Sequence, residues 1–243
     1  MEQDKRTTQR KLLVTGASQG IGGAITRHLL SEGHQVIAIG RDFTHWSDQT
    51  GLEKITLDLS DLDSLPHHFG EIARAHTELD GVILNAGSGR FGSLEEFSYQ
   101  QIRELVDINL LQHLLVARAL VPRLKKLGRG DLVIIGSEAA LTGGRRGTIY
   151  SACKFALRGF AQSLRAECSS NGVRVCLINP GMVDTGFFDN LDFMPGELPE
   201  NALRPEDIAE TVNLVLQAHP GTVFDEINLN PLKKVIQTKK HEF

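Results

Sequence analysis

Short runs of Val, Ile and Leu recur along the chain, with longer stretches of helical spacing between them. The runs are KLLVT at 11–15, QVIAIG at 35–40, EKITL at 53–57, DGVIL at 80–84, DLVIIGS at 131–137 and VRVCLI at 173–178. Several are continuously apolar, as strands covered on both faces must be. Helical spacing predicts a helix over 21–33, with Ile25, Leu29 and Leu30 on one face and Gly33 as its stop. A second is capped by Ser60 or Asp61 and runs towards Thr77. A third spans 98–128, with Ile102, Leu105, Val106 and Asn109 on neighbouring turns. The others cover 148–171 and 205–218, Pro205 suiting a first helical turn. Alternation of this kind specifies βαβ units, right-handed crossovers and a doubly wound parallel sheet with helices on both faces.

One domain suffices for 243 residues, and neither a repeat nor a linker divides them. The expected layout is a polar tail at 1–10, the domain proper, and an irregular lid at 186–204 that holds Phe187, Phe188, Phe193, Pro195 and Pro199. Lys and Arg number 26 against 30 Asp and Glu, a net charge of −4. That balance argues against nucleic-acid binding, which leaves a basic footprint. Cys153, Cys168 and Cys176 are scattered and form no CxxC pair, which fits a reducing compartment. No secretory segment opens the chain, and its most apolar stretch, 110–121, is broken by Gln112, His113 and Arg118. The expectation is a cytoplasmic protein with no membrane partner.

The first strand runs into Gly16-Ala17-Ser18-Gln19-Gly20-Ile21-Gly22, and a helix follows. Glycines there permit a tight turn and let a pyrophosphate approach the backbone, while the helix start offers free N–H groups and partial positive charge. The context is that of a Rossmann fold, although the order is G-x-x-x-G-x-G. The alternative is a tight turn that binds nothing.

Tyr150 and Lys154 are four apart at the start of a helix and share a face. An ammonium beside a phenol favours the phenolate, so the tyrosine pKa is expected to fall towards working pH, where a general acid/base is most effective. Ser137 ends a strand, where α/β sites lie, and its hydroxyl can donate to the same substrate oxygen. A surface Tyr–Lys pair and a turn serine are the alternatives.

Five motifs in order resemble the short-chain dehydrogenases/reductases, and the resemblance covers about 11–221. TGASQGIG at 15–22 is similar to that family's cofactor turn, and NAG at Asn85, Ala86 and Gly87 to its second motif. Ser137, the Tyr150-Ser151-Ala152-Cys153-Lys154 segment, and NPG at 179–181 followed by Thr185 match the remainder. Length and glycine spacing fit the short branch. The resemblance implies hydride transfer between a nicotinamide and a carbonyl or alcohol carbon of a small organic substrate, with Tyr150 as general acid/base. It implies a cradle of Gly16, Ser18, Gln19, Gly20, Ile21 and Gly22. Lys154 would also hold the nicotinamide ribose. Pro180, Gly181, Val183 and Thr185 would hold the nicotinamide end, and Asp58, with Leu59 beside it, the adenine. Asn85 is mainly structural beside the cofactor. Asn109 holds a water linking Lys154 to solvent, or else satisfies backbone inside the fold. Homodimers or homotetramers built on the two long helices are implied as well. The end of the chain lacks the glycine-rich close of some members, which argues against a 3-oxoacyl carrier-protein reductase.

Gly40 stands where NAD enzymes of this fold carry the acid that reads the ribose 2′-hydroxyl. Arg41 follows, and a guanidinium suits a 2′-phosphate. Ser18 can add a donor, whereas Gln19 and Asp42 pull the other way. The balance favours NADP over NAD. Arg145 and Arg146 offer charge to an anionic substrate, or are simply solvated. Met182, Phe187, Phe188 and Phe193 line an apolar pocket, or are packing. Neither an HExxH motif nor a Cys/His cluster suggests a metal, and no G-x-S-x-G elbow suggests a serine hydrolase. The rival from another class is a non-catalytic dinucleotide sensor or scaffold. A methyltransferase has no use for the Tyr–Lys pair.

Overall fold

A computed structural model describes residues 9–239. Seven parallel strands form one sheet in the order β3-β2-β1-β4-β5-β6-β8. They are β1 (Lys11–Thr15), β2 (Gln35–Gly40), β3 (Leu52–Thr56), β4 (Leu79–Leu84), β5 (Gly130–Ile135), β6 (Val173–Pro180) and β8 (Glu226–Leu229). The order reverses between β1 and β4, which opens a crevice beyond their carboxyl ends. β4, β5 and β6 are buried throughout, as their apolar runs require.

Alternate strand residues feed two cores. On one face Leu13, Leu84 and Ile134 pack with Phe69 of α2 (Leu65–Ala75), Leu120 of α4 (Gln112–Leu127) and Leu157 of α5 (Thr148–Cys168). On the other, Leu12, Val14 and Ile83 pack with Ile25 of α1 (Gly20–Ser31) and Val212 of α6 (Pro205–Gln217). Phe69 is fully buried, so truncating it to Ala would cost about 3–5 kcal/mol.

The long helical pattern divides into three. Ser98 caps α3 (Tyr99–Val106) through a reciprocal pair with Gln101. A π-helical turn, Asp107–Leu111, then joins α3 to α4, and Gly128 ends α4 at φ 67°. By length and composition alone, 99–127 is long and apolar enough to cross a membrane. Its apolar residues Val116, Leu120 and Leu124 are nonetheless fully buried in the core.

The second helix begins at Leu65, later than expected. Asp58 Oδ1 accepts from the Ser60 N–H and hydroxyl, and successive turns carry the chain to Ser64. Polar side chains that bond local backbone compete with helix there. β8, with the half-polar sequence EINL, was not foreseen; pairing with it extends β6 to Pro180. β9 (Ile236–Thr238) pairs antiparallel with β7 (Phe193–Pro195) inside the expected lid. Residues 1–8 of the expected N-terminal tail lie outside the described residues. Arg10 is anchored, its guanidinium bridging Asp80 and Asp131.

Candidate active site

β1 delivers the chain into the glycine turn at the crevice. Gly16 has φ 65°, and a Cβ on Gly22 would sit 2.2 Å from the Gly16 carbonyl oxygen, so only glycine fits. Gln19 precedes α1 without a side-chain cap, and the first turn carries no acid. Its amides are therefore open to an anion, which suits a dinucleotide pyrophosphate. Asn85 Nδ2 donates to the carbonyls of Thr15 and Gly16, which ties the segment after β4 to the turn. Ala86 is buried beside them and Gly87 exposed. Ile21 packs on the core below the turn.

The post-β6 segment closes the crevice from the other side. A Cβ on Gly20 would meet Thr185 Cγ2 at 3.6 Å. Thr185 Oγ1 accepts from the Phe187 N–H, Val183 is buried, and the Gly181 N–H donates to the Leu229 carbonyl, just beyond Pro180. Among the residues proposed for the nicotinamide end, Thr185 thus reaches the glycine turn directly.

The structure brings Ser137, Tyr150 and Lys154 together. Ser137 follows β5, and its hydroxyl lies near enough to the Tyr150 phenol to act on its pKa. It also accepts from the Ala139 N–H at 3.2 Å. Tyr150 is 7% exposed and Lys154 3%. The Lys154 ammonium donates to the Ile135 carbonyl at 3.3 Å. The expected fall in the tyrosine pKa is not what the geometry gives. Burial pushes the phenol up to about 12, against a downward pull from the Ser137 hydroxyl. Burial also lowers Lys154 to about 8. Loss of water outweighs the pairing, because the ammonium is turned towards a backbone carbonyl.

Asn109 sits in the π-helical turn, fully buried. Its Oδ1 accepts from the Ser88 N–H, and its Nδ2 donates to the Leu105 carbonyl. The side chain thus bonds backbone on both sides. Two neighbours were missed. Gln112 Nε2 donates to the Ala86 carbonyl, and neither ring nitrogen of fully buried His113 finds a partner among the described residues. Burial first, then the Lys154 charge, lowers His113 to about 3. Their sequence signal was polarity inside an apolar helical run.

At the far end, a Cβ on Gly40 would meet Phe43 and Ser18 at 3.1 Å each. Arg41 and Asp58 are exposed, Leu59 is buried, and the Arg41 charge reaches the Asp58 carboxyl. The Ser60 amide and hydroxyl, then Arg41, hold that carboxyl below its usual range. Trp46 Nε1 donates to the Ser18 carbonyl at 2.8 Å, with Arg27 lying over the indole. A cleft of about 410 Å³ lies here, lined by Ser18, Gln19, Gly20, Arg27, His45 and Trp46 among others. The three cysteines are buried and form no disulfide. No metal-ligand cluster occurs among the described residues.

A family model described as short chain dehydrogenase matches residues 10–194. An uncharacterised oxidoreductase of Staphylococcus aureus is 29% identical over 231 residues, covering 93% of this chain and 98% of the relative. An alcohol dehydrogenase from the archaeon Thermococcus sibiricus, solved with 5-hydroxy-NADP, superposes with a TM-score of 0.83 at 28% identity, covering 93% of this chain and 99% of that one. Serine dehydrogenase from Escherichia coli gives 0.78 at 27% identity, over 90% and 96% of the two chains. A glycine cradle at the switch point of a parallel sheet, reached by a buried Tyr–Lys pair, is what these relatives' kinship leads one to expect, and the chain belongs to the short-chain dehydrogenases as an NAD(P)-dependent oxidoreductase.

Proposed function

We propose that the protein is an NADP-dependent carbonyl reductase or alcohol dehydrogenase for a small organic substrate, with Tyr150 as general acid/base. The observation that carries this is the placing of Ser137 beside the buried Tyr150 phenol, close enough to pull its pKa down, with buried Lys154 one helical turn further on. When bound, the nicotinamide supplies or accepts the hydride. Ser137 donates to the substrate oxygen and fixes its position. Tyr150, kept protonated by burial, gives its proton to that oxygen as the carbonyl becomes an alcohol, and takes it back in the reverse direction. Lys154 holds the nicotinamide ribose. Asn109 and Gln112 brace the Asn85–Ala86–Gly87 segment, which forms one wall of the cofactor site.

NADP is favoured because Ser18 and Phe43 crowd the place where the 2′-hydroxyl-reading acid would stand, while Arg41, exposed, follows directly in sequence. The dehydrogenase of T. sibiricus was solved with an NADP derivative, which is in keeping with this choice. We assign Gly16, Ser18, Gln19, Gly20, Ile21 and Gly22 to the pyrophosphate, Asp58 and Leu59 to the adenine, and Pro180, Gly181, Val183 and Thr185 to the nicotinamide. The chain works as one domain, in the cytoplasm, without nucleic-acid or membrane partners. It forms a homodimer or homotetramer through its long helices, where Leu111 and Phe155 are exposed.

Assay of aldehydes and ketones with NADPH and with NADH tests the reading. Turnover with a higher kcat/KM for NADPH is expected. Tight NADPH binding without turnover of any carbonyl or alcohol would make the protein a dinucleotide sensor instead.

A further inference from the structure

We infer that the substrate is an uncharged carbonyl compound, or its alcohol, with an aryl or similarly bulky apolar group next to the reacting carbon. The inference rests on the oxidoreductase reading above and specifies what enters that site.

The phenol of Tyr150 faces an aromatic wall. The Phe91 ring lies 5.2 Å from the Tyr150 ring, and Phe187 lies 6.1 Å away. Behind them Phe193 stacks edge-on against Phe91 at 5.1 Å, and Phe188 against Phe187 at 5.3 Å. Met182 and Leu191 complete a buried apolar cluster. The cluster draws on two segments, one after β4 and one after β6, and packs against the Tyr150 ring. Gly89 admits the Phe187 ring to this wall: a Cβ on it would lie 2.4 Å from Phe187 Cζ.

Several charges around this wall are already committed, Arg145 excepted. Arg146, on the turn before α5, is bonded to Asp192 at 2.6 Å and lies 3.9 Å from Glu96. Glu138, next to Ser137, pairs with Lys234 at 2.7 Å. Lys239 donates to the carbonyls of Phe188 and Asp189. An anionic substrate would have to break one of these pairs or sit unneutralised against phenyl rings, and an unpaired charge in apolar surroundings is heavily disfavoured. An apolar group gains from the same wall: a single methylene there is worth about 10-fold or more in discrimination. Arg145, exposed and without an ion-pair partner among the described residues, is the group that would serve an anion instead.

The test compares kcat/KM, with NADPH in excess, for phenyl and branched-alkyl ketones and aldehydes against 2- and 3-oxo acids of matched size. Phe187→Ala and Arg145→Ala are run beside the parent. The expected result is a preference of about 100-fold or more for the uncharged aryl substrates, with Phe187→Ala raising their KM about 10-fold and Arg145→Ala changing nothing. A preference for oxo acids that disappears in Arg145→Ala overturns this inference and leaves the oxidoreductase reading intact. Equal rates for both series, or an unchanged KM in Phe187→Ala, overturn it as well. Absence of turnover with every compound overturns both together.

Discussion

Lys154 Nζ lies 5.6 Å from the centre of the Tyr150 ring, one helical turn along α5, and neither side chain is open to water. Their protonation states follow from that shared burial. The phenol, pushed up to about 12, stays protonated throughout the working range, whereas Lys154, lowered to about 8, loses its charge within it. The kcat/KM for NADPH reports the free protein. In carbonyl reduction it is expected to fall as pH rises through about 8, because the lysine, not the tyrosine, titrates there. A profile flat to pH 10 would contradict this assignment.

His113 carries a second pH dependence, one of stability. Its folded pKa, about 3, lies below the unfolded value of 6.5, so the unfolded chain binds the extra proton between them. Stability is complete above pH 6.5 and drains away as pH falls towards 3, by at most roughly 1.4 kcal/mol per pH unit. His113→Leu removes that slope and the unpartnered ring nitrogens. Thermal melts of both proteins from pH 7.5 to 4 should diverge in steepness, and parallel curves would show that the imidazole is not the cause.

Asp131 sits at the opposite end of β5 from Ser137, 1% exposed, and holds both Arg174 at 2.6 Å and Arg10 at 2.8 Å. Asp131→Ala takes from buried Arg174 the one carboxylate that pairs with it among the described residues, while Arg10 keeps Asp80, a loss of about 3–5 kcal/mol. Urea denaturation should register it, while kcat of the surviving folded protein stays at the parental value. A loss below about 1 kcal/mol would mean the network resembles an ordinary surface ion pair.

On the proposed reading, cofactor choice turns on Gly40 and Arg41. Arg41→Ala should lower kcat/KM for NADPH about 10- to 100-fold, the range of charge-assisted hydrogen bonds. NADH turnover should change little. Equal losses with both cofactors would place Arg41 away from the 2′-phosphate.

The continuous apolar strands made the sheet legible, because burial on both faces leaves no room for polar alternation. β8 escaped notice because a half-exposed edge strand keeps polar residues such as Glu226 and Asn228. The junction of β7 and β9 depends on pairing across some forty residues, which no local pattern announces. Ser137, Tyr150 and Lys154 could be named through the family resemblance, since type and spacing alone left a surface pair and a turn serine open. The sign of the Tyr150 shift could not, since it depends on how deeply the helix start is buried and where the ammonium points. Asn109 was visible as a polar residue in a helix, but a π-helical turn was needed to aim its amide at Ser88 and Leu105. The aromatic wall required Phe91 to meet residues almost a hundred positions away.

Proton delivery by Tyr150 is most directly tested in Tyr150→Phe, with turnover and cofactor affinity measured on the same preparation. Trp46, the only tryptophan in the chain, bonds the Ser18 carbonyl within the cofactor turn, so its fluorescence can report NADPH binding. The variant should bind NADPH within about threefold of the parent and lose about 100- to 10,000-fold in kcat, the span of a general acid. Turnover within tenfold of the parent, with NADPH still bound, would contradict the account.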